Sequence, residues 1–203
     1  MKTKKAWWMF GVLLAFLVSA SCGKQGKVDQ GRVIDFDKSK GSVTLIHDSS
    51  PDPKNPDYST LPPTTYAIPE DKEEMGADPK AGYRMKLDTT KNEIVIFDPL
   101  SQTFKTIHYT LVDQKENIAK DDPLVFDKAK KEARKFPVVD REKKTISIYS
   151  SRQKLLVTFS VADEYIALPD KTWDAGDEVR IYSKEKGKAT RLMNITRTDI
   201  YGR

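Results

Sequence analysis

Cysteine and histidine are the residues that this sequence has least of. Among its 203 residues Cys22 is the single cysteine, and His47 and His108 are the only histidines. A lone cysteine has no partner for an intramolecular disulfide, which is unusual for an exported protein. It also leaves the rest of the chain without a thiol nucleophile.

Catalytic motifs are absent as well. The chain contains no Gly-x-Ser-x-Gly elbow and no glycine-rich phosphate loop. The acidic residues at positions 70–74 form a charged run that has no reason to hold a shifted pKa, and those between 48 and 57 lack the spacing of a calcium loop. The sequence therefore predicts a protein that is not an enzyme.

Net charge is small once the N-terminus is set aside. The chain has 35 Lys and Arg against 30 Asp and Glu. Three of the lysines lie in residues 1–21, which leaves 32 basic against 30 acidic residues, a net charge of +2. So balanced a chain predicts no nucleic-acid partner.

The one long apolar run lies at the N-terminus. Three lysines precede an uncharged stretch at positions 6–20, and the small residues Ser19, Ala20 and Ser21 lead into Cys22. A basic start, an apolar run of about 15 residues and a small-residue exit predict a secretory signal peptide over residues 1–21.

The end of this signal, Val18-Ser-Ala-Ser-Cys22, resembles the lipobox of bacterial lipoproteins. The resemblance implies that Cys22 is acylated with diacylglycerol and fatty acid and becomes the mature N-terminus. It also implies an outer-membrane location, because Gly23 stands where inner-membrane lipoproteins carry Asp. The alternative is an ordinary signal peptide followed by an incidental cysteine. No other cofactor is expected.

A turn pattern repeats along the mature chain: Asp or Ser, two polar residues, Lys, then Gly, Asn or Lys before a β-rich run. It occurs at Asp37–Gly41, Asp88–Asn92, Asp140–Lys144 and Ser183–Gly187. Aspartate can accept backbone N–H groups in such a turn, and glycine adopts a left-handed conformation without strain. The pattern predicts four hairpins, two in each half of the chain.

The two halves also correspond in other ways. The loop at Asp37 recurs at Asp140, 103 positions later, and Ala81-Gly82 corresponds to Ala175-Gly176. We therefore predict an all-β fold of two tandem OB-like barrels, with SH3-like barrels as the alternative. The expected divisions are a tether over 22–31, barrel 1 over 32–112 with a Pro-rich loop at 48–63, a linker with a short helix over 113–135, and barrel 2 over 136–203.

Several segments resemble the periplasmic copper metallochaperones of cation-efflux systems: Gly31–Asp35, Val43–His47, Phe159–Ala162 and Ala175–Ile181. The resemblance implies a Cu(I) site formed by a histidine and a Met-x-Met pair, and His47 falls on the histidine position. Pro62 and Thr64 occupy the methionine positions of the first copy, and Leu155 and Val157 those of the second. A site that combines His47 with His108 is the remaining metal hypothesis.

Three residues are candidates for binding a partner. Tyr58 and Leu61 lie in the Pro-rich loop, a kind of segment that loses little entropy on ordering. Trp173, at a corner between predicted strands, either fills the end of a barrel or serves as a stacking platform.

Together these features predict a membrane-anchored envelope lipoprotein that acts as a non-catalytic binding or accessory module for another envelope protein. The alternative is a periplasmic metal-handling protein similar to the copper chaperones.

Overall fold

A computed structural model describes residues 25–52 and 55–198. Most of the regular structure in these ranges is β-strand, which confirms the predicted all-β class. The strands are β1 (Lys27–Asp37), β2 (Ser42–His47), β3 (Thr64–Ala67), β4 (Arg84–Asp88), β5 (Glu93–Asp98), β6 (Thr103–His108), β7 (Thr110–Lys115), β8 (Phe126–Asp127), β9 (Glu132–Ala133), β10 (Val138–Asp140), β11 (Thr145–Ser150), β12 (Leu155–Ser160), β13 (Glu178–Glu185) and β14 (Lys188–Asn194).

Helical structure is confined to short pieces. One α-helix, α1 (Asp163–Ile166), and two 3₁₀ helices, η1 (Lys72–Glu74) and η2 (Asp170–Trp173), occur in the described ranges. None of the helices found there has the length and apolar character needed to cross a bilayer.

The predicted turn pattern forms the hairpins as expected. Asp37 Oδ1 accepts the backbone N–H groups of Ser39 and Lys40, both at 3.0 Å, and Gly41 closes the turn at φ +63°. The carboxylates of Asp88 and Asp140 accept N–H groups in the equivalent turns. These three turns are stabilised within a few residues. In the fourth copy, Ser183 lies within β13, and the chain reverses at Lys186 and Gly187, where Gly187 has a φ of +75°.

The helix predicted in the 113–135 linker is wrong, and the turn pattern explains why. Asp127 Oδ1 accepts the N–H groups of Ala129 and Lys130, at 3.0 and 3.2 Å, and Lys131 adopts a φ of +54°. This fifth copy of the pattern folds as the hairpin of β8 and β9. Its lysines point to solvent and do not complement a helix C-terminus.

Five strands close into a small barrel, in the order β1-β13-β14-β3-β2. Neighbours are antiparallel except at the junction of β14 and β3, where Lys188 pairs in parallel with Ala67. Alternate residues of the strands fill the interior, and the buried core is Val33, Val43, Leu45, Tyr66, Val179, Ile181, Ala189 and Leu192.

The remaining long strands form what we call the second module, β4–β7 with β10–β12. One sheet has the order β4-β5-β6, and the other has the order β10-β11-β12-β7. The chain passes from the first sheet to the second at Tyr109, between β6 and β7. Ile94 and Ile96 of the first sheet share one core with Ile146, Val157 and Phe159 of the second.

The predicted tandem arrangement is not confirmed, because the halves of the chain exchange their second hairpins. The barrel takes β1–β3 from the first half and the β13–β14 hairpin from the second. The first half's β4–β5 hairpin packs in turn against β11 and β12. Strand pairing therefore does not follow the boundaries expected at 112 and 136.

The two connections that exchange the hairpins pass close to each other. Gly82 N–H donates to Val33 O at 3.0 Å, and Val33 N–H donates to Asp177 O at 2.9 Å. A Cβ built on Gly82 would lie 2.4 Å from Gly176 N, so side chains do not fit at this crossing. The repeated Ala-Gly pairs are thus the places where the two connections touch.

Candidate functional site

A cleft of about 770 Å³ lies where the barrel meets the second module. Its walls come from β1 and β13 of the barrel, from β4–β6 and the β11–β12 turn of the second module, and from the Pro-rich loop. This volume is within the range of about 300–1,000 Å³ that is usual for small-molecule sites.

Arg32, on β1, occupies one wall of the cleft. Its Nη1 donates to two carbonyl oxygens of β4, Arg84 O at 3.0 Å and Met85 O at 2.9 Å. The guanidinium carbon lies 4.2 Å from the centre of the Tyr58 ring, a cation–π contact. Arg32 Nε is buried without a hydrogen-bond partner. Burial lowers the pKa of Arg32, and the charge of Arg152 lowers it further.

Arg84, on β4, lies beside Arg32 and is 8% exposed. Its Nε donates to Trp173 O at 3.0 Å. Burial, followed by the charge of Arg32, lowers the pKa of Arg84 to about 10, against the opposing effect of Asp174. Within the described ranges neither Arg32 nor Arg84 forms an ion pair with a carboxylate.

The third arginine of the cleft, Arg152, is paired. Its Nη2 lies 2.8 Å from Glu178 Oε2, and the other carboxylate oxygen of Glu178 accepts from Gln30. Arg32 and Arg84 form no ion pair of their own, although the charges of Glu178 and Asp174 act on them from a greater distance. Arg84 lies two positions after Gly82, and Glu178 lies two positions after Gly176, so the two residues are equivalent in the repeated segments.

Tyr58 brings the Pro-rich loop into the cleft. The loop is held by Asp48 Oδ1, which accepts Asp57 N–H at 2.7 Å, and by Ser49 N–H, which donates to Asp57 O at 2.9 Å. The Tyr58 side chain is 6% exposed, and its hydroxyl has no hydrogen-bond partner. Burial raises the pKa of Tyr58, although the Arg32 charge acts in the opposite direction.

Part of the cleft lining is apolar and is formed by Met85, Leu87, Val95 and Phe104. A register shift between Arg84 and Lys86 in the pairing of β4 with β5 allows Arg84 and Met85 to be buried in succession. A bulge of this kind turns neighbouring side chains toward the same region. The cleft lining consequently combines cationic and apolar side chains.

Tyr58 and Leu61, the loop residues predicted to bind a partner, do not form an exposed surface. Tyr58 is buried against Arg32, and Leu61 is half-buried against a small core that includes Ile34 and Phe97. Of the two, only Tyr58 lines the cleft.

Trp173 is fully buried and packs edge-on against Phe159, with ring centres 6.2 Å apart. Its side chain therefore lies in a hydrophobic core and is not exposed as a stacking platform. Its backbone oxygen still contributes to the site, because it accepts the hydrogen bond from Arg84.

The structure places His47 and His108 in different sheets. His47 Nδ1 contacts Asp29, whose other oxygen accepts the Tyr66 hydroxyl at 2.6 Å. His108 Nδ1 lies 3.6 Å from Glu93 Oε1 on an exposed strand end. In residues 25–52 and 55–198, no group of three or more His, Cys, Asp or Glu side chains is arranged to hold a metal ion. The predicted lipidation residue, Cys22, lies outside the described residues.

Sequence reasoning missed Arg32, Arg84 and Arg152. Each belongs to a strand or turn in which a basic residue is ordinary, and nothing local marks it as buried. The available signal was the pair of equivalent positions after Gly82 and Gly176, which carry Arg84 and Glu178. Recognising its meaning required knowing that the two connections cross.

The fold and the cleft define an all-β protein with one prominent ligand-sized site among its described residues. The chain belongs to a family described as a domain of unknown function (DUF4881), whose model matches residues 24–203. No curated protein and no solved structure matches the chain.

Proposed function

We propose that the protein is a lipid-anchored envelope protein that acts as a non-catalytic binding module for another envelope component. The observation that carries this proposal is the cleft at the junction of barrel and second module, whose buried polar groups lack partners. In a cleft, groups of this kind can be satisfied by a ligand, so they favour a binding role.

The anchor in this proposal is Cys22, and the membrane is the outer membrane. Support comes from the N-terminal sequence: a basic start, an apolar run and small residues directly before the cysteine. The acyl groups on Cys22 are the one covalent cofactor proposed. Nucleic acid is not a proposed partner, because the mature chain is nearly neutral.

We also propose that the barrel is OB-like. Its first three strands form a meander, and its last two strands return after a long connection to pair with both edges of that meander. A five-stranded Greek-key barrel of this kind is typical of OB folds, which commonly bind ligands. In this proposal the second module is a diverged copy that shares the turn pattern.

The metal-handling alternative has little support. His47 is engaged by Asp29, and Pro62 and Thr64 offer no thioether where the metallochaperones have methionine. An enzymatic alternative has less support, because the Glu178 carboxylate in the cleft is engaged by Arg152 and Gln30 and forms no hydrogen bond with a lining hydroxyl among the described residues.

The test is a photo-crosslinking pull-down of the full lipidated chain from native membranes. One version carries the photoreactive residue at Ser59, on the rim of the cleft, and a control version carries it at Leu100, which is 94% exposed and outside the cleft. We expect a stoichiometric partner to crosslink from position 59 and not from position 100, and to be lost in Cys22→Ser. Equal crosslinking from both positions, or one copper or zinc ion per chain without a partner, would contradict the proposal.

A further inference from the structure

We propose that the cleft binds a small organic anion, with a carboxylate or phosphate head held by Arg32, Arg84 and Tyr58 and an apolar body against Met85 and Phe104. The inference rests on the proposed binding function and names the chemistry of its ligand. It follows from three features of the cleft: cationic groups without ion pairs, unpartnered hydrogen-bond donors, and an adjacent apolar wall.

The first feature is two neighbouring guanidinium groups without ion pairs, one on Arg32, which contacts β4, and one on Arg84, which β4 carries. Arg32 Nη1 donates to the backbone oxygen of Arg84 itself, so the two positively charged residues lie side by side. A buried charge without a counter-ion is strongly unfavourable, and arginine in particular suits bidentate contact with carboxylate or phosphate. An anion between them removes this mutual repulsion.

Glu178 does not fill that role. Its Oε2 accepts from Arg152 Nη2 at 2.8 Å, and its Oε1 accepts from Gln30. Both carboxylate oxygens are therefore engaged by other side chains. Glu178 instead fixes Arg152 at the rim, and this leaves Arg32 and Arg84 to a ligand.

The second feature is a set of donors that have no acceptor. Arg32 Nε and the Tyr58 hydroxyl are both buried and have no hydrogen-bond partner, and both residues line the cleft. The Arg32 guanidinium lies over the Tyr58 ring, so the two donors belong to one cluster. An oxyanion offers several acceptor lone pairs and can satisfy both groups at once.

The third feature is the apolar wall, which determines the rest of the ligand. Met85 and Leu87 are largely buried, and Val95 and Phe104 complete the apolar part of the lining. A bare inorganic anion would leave this wall unused, whereas an aromatic or short aliphatic body would cover it. The volume of about 770 Å³ accommodates such a molecule.

The probes are 3-phenylpropanoate and phenyl phosphate, with the neutral 3-phenylpropanamide as the matched control for charge. Binding is measured by titration of the mature chain with NMR detection of the amide resonances of residues 84–87. We expect one or both anions to bind with a dissociation constant below about 1 mM, and the amide to bind at least tenfold more weakly, since contacts to charged groups are stronger. Equal binding of the amide would overturn the inference. Absence of binding by either anion at about 10 mM, a concentration at which even a weak ligand binds detectably, would also overturn it.

The decisive variant is Tyr58→Phe, with Tyr109→Phe as its control. Both tyrosines are 6% exposed and both hydroxyls lack a partner, but Tyr109 lies in the core of the second module. Neither hydroxyl forms a well-aligned hydrogen bond within the protein, so both variants should fold, and amide spectra check this. We expect Tyr58→Phe alone to weaken anion binding about tenfold, because it removes one hydrogen bond to a charged acceptor. Unchanged affinity in Tyr58→Phe, or equal loss in both variants, would contradict the site.

The two proposals fail in different ways. A partner that crosslinks from position 59 while neither anion binds would overturn the anion inference and leave the binding function standing. Anion binding that depends on Tyr58, with equal crosslinking from positions 59 and 100, would support the site and overturn the docking of a protein partner there.

Discussion

The barrel and the second module are built from equivalent pieces, yet only the barrel closes. Each combines a three-stranded meander from one half of the chain with a hairpin from the other. In the barrel, β3 pairs with β14 and completes the ring. In the second module β12, the strand equivalent to β3, pairs with β7, so the two sheets stay separate.

The difference arises from two extra strands. The first half continues past its hairpin into β6 and β7, which run from one sheet to the other through Tyr109. The second half ends its strands with β14 and has no equivalent extension among the described residues. An added strand that occupies an edge prevents the direct pairing that closes a ring. Because the second module stays open beside the barrel, its β4–β6 sheet contributes the apolar wall of the cleft.

The largest expected effect comes from the core of the second module. Trp173→Ala removes a fully buried aromatic side chain that packs on Phe159, and should lower the free energy of unfolding by about 3–5 kcal/mol. Leu45→Ala, in the core of the barrel, should lower it by about 2–5 kcal/mol. Denaturant unfolding should show a single transition in both variants, because the exchanged hairpins couple the two parts.

The control for this pair is Leu100→Ala. Leu100 is 94% exposed, so its truncation should change stability by less than about 0.5 kcal/mol. Two separate transitions, with each variant shifting only one of them, would show that barrel and second module unfold independently.

The second expected effect concerns the crossing of the connections. Gly176 and Gly41 have similar left-handed φ values, +68° and +63°. A Cβ on Gly176 would lie 2.3 Å from Val33 O, whereas the nearest atom to a Cβ on Gly41 is 3.8 Å away. Gly176→Ala should therefore destabilise the protein by at least about 1 kcal/mol more than Gly41→Ala, because overpacking adds to the backbone strain. Thermal and denaturant unfolding would measure the difference, and equal losses would mean that the crossing is loosely packed.

The smallest expected effect has the opposite sign. Arg84→Met removes a buried charge that has no carboxylate partner, and should stabilise the protein by about 1 kcal/mol at pH 7. The Arg84 pKa of about 10 lies below the ordinary value, so above pH 10 the folded state binds fewer protons than the unfolded state. The stability of the wild type should accordingly rise relative to the variant as the pH increases through about 10.

The measurement for Arg84→Met is urea unfolding of both proteins at pH 7 and at a pH near the lowered pKa. Arg141→Met, at an exposed arginine paired with Asp170, is the control and should stay within about 0.5 kcal/mol at both pH values. An advantage of Arg84→Met that grows with pH would contradict the burial of a charge without an ion pair.

The turns and the β-rich character of this fold could be predicted from the sequence because both are local. Asp37 and Gly41 act within a few residues of each other, and equivalent turns form at Asp88 and Asp140. The hairpin at Asp127 follows the same rule, but its lysine-rich turn resembles a helix end in sequence.

The exchange of hairpins could not be predicted, because it depends on which distant edge a hairpin pairs with. Residues 178–194 have the alternation needed to complete either module, and local sequence does not choose between them. The cleft could not be predicted for the same reason. Arg32 and Arg84 come together only because β4 crosses beside β1, so neither residue carries a signal of its own.

The measurement that tests this account most directly is folding of the two half-chains, residues 22–116 and 117–203, alone and mixed. Trp173 is the only tryptophan outside residues 1–21, so its fluorescence reports on the second half, and amide NMR reports on both. If the hairpins are exchanged, neither half can complete its barrel or its core alone. We expect poorly dispersed spectra for the separate halves and the spectrum of the intact protein after mixing. Two halves that each fold alone, with well-dispersed spectra that do not change on mixing, would contradict the account.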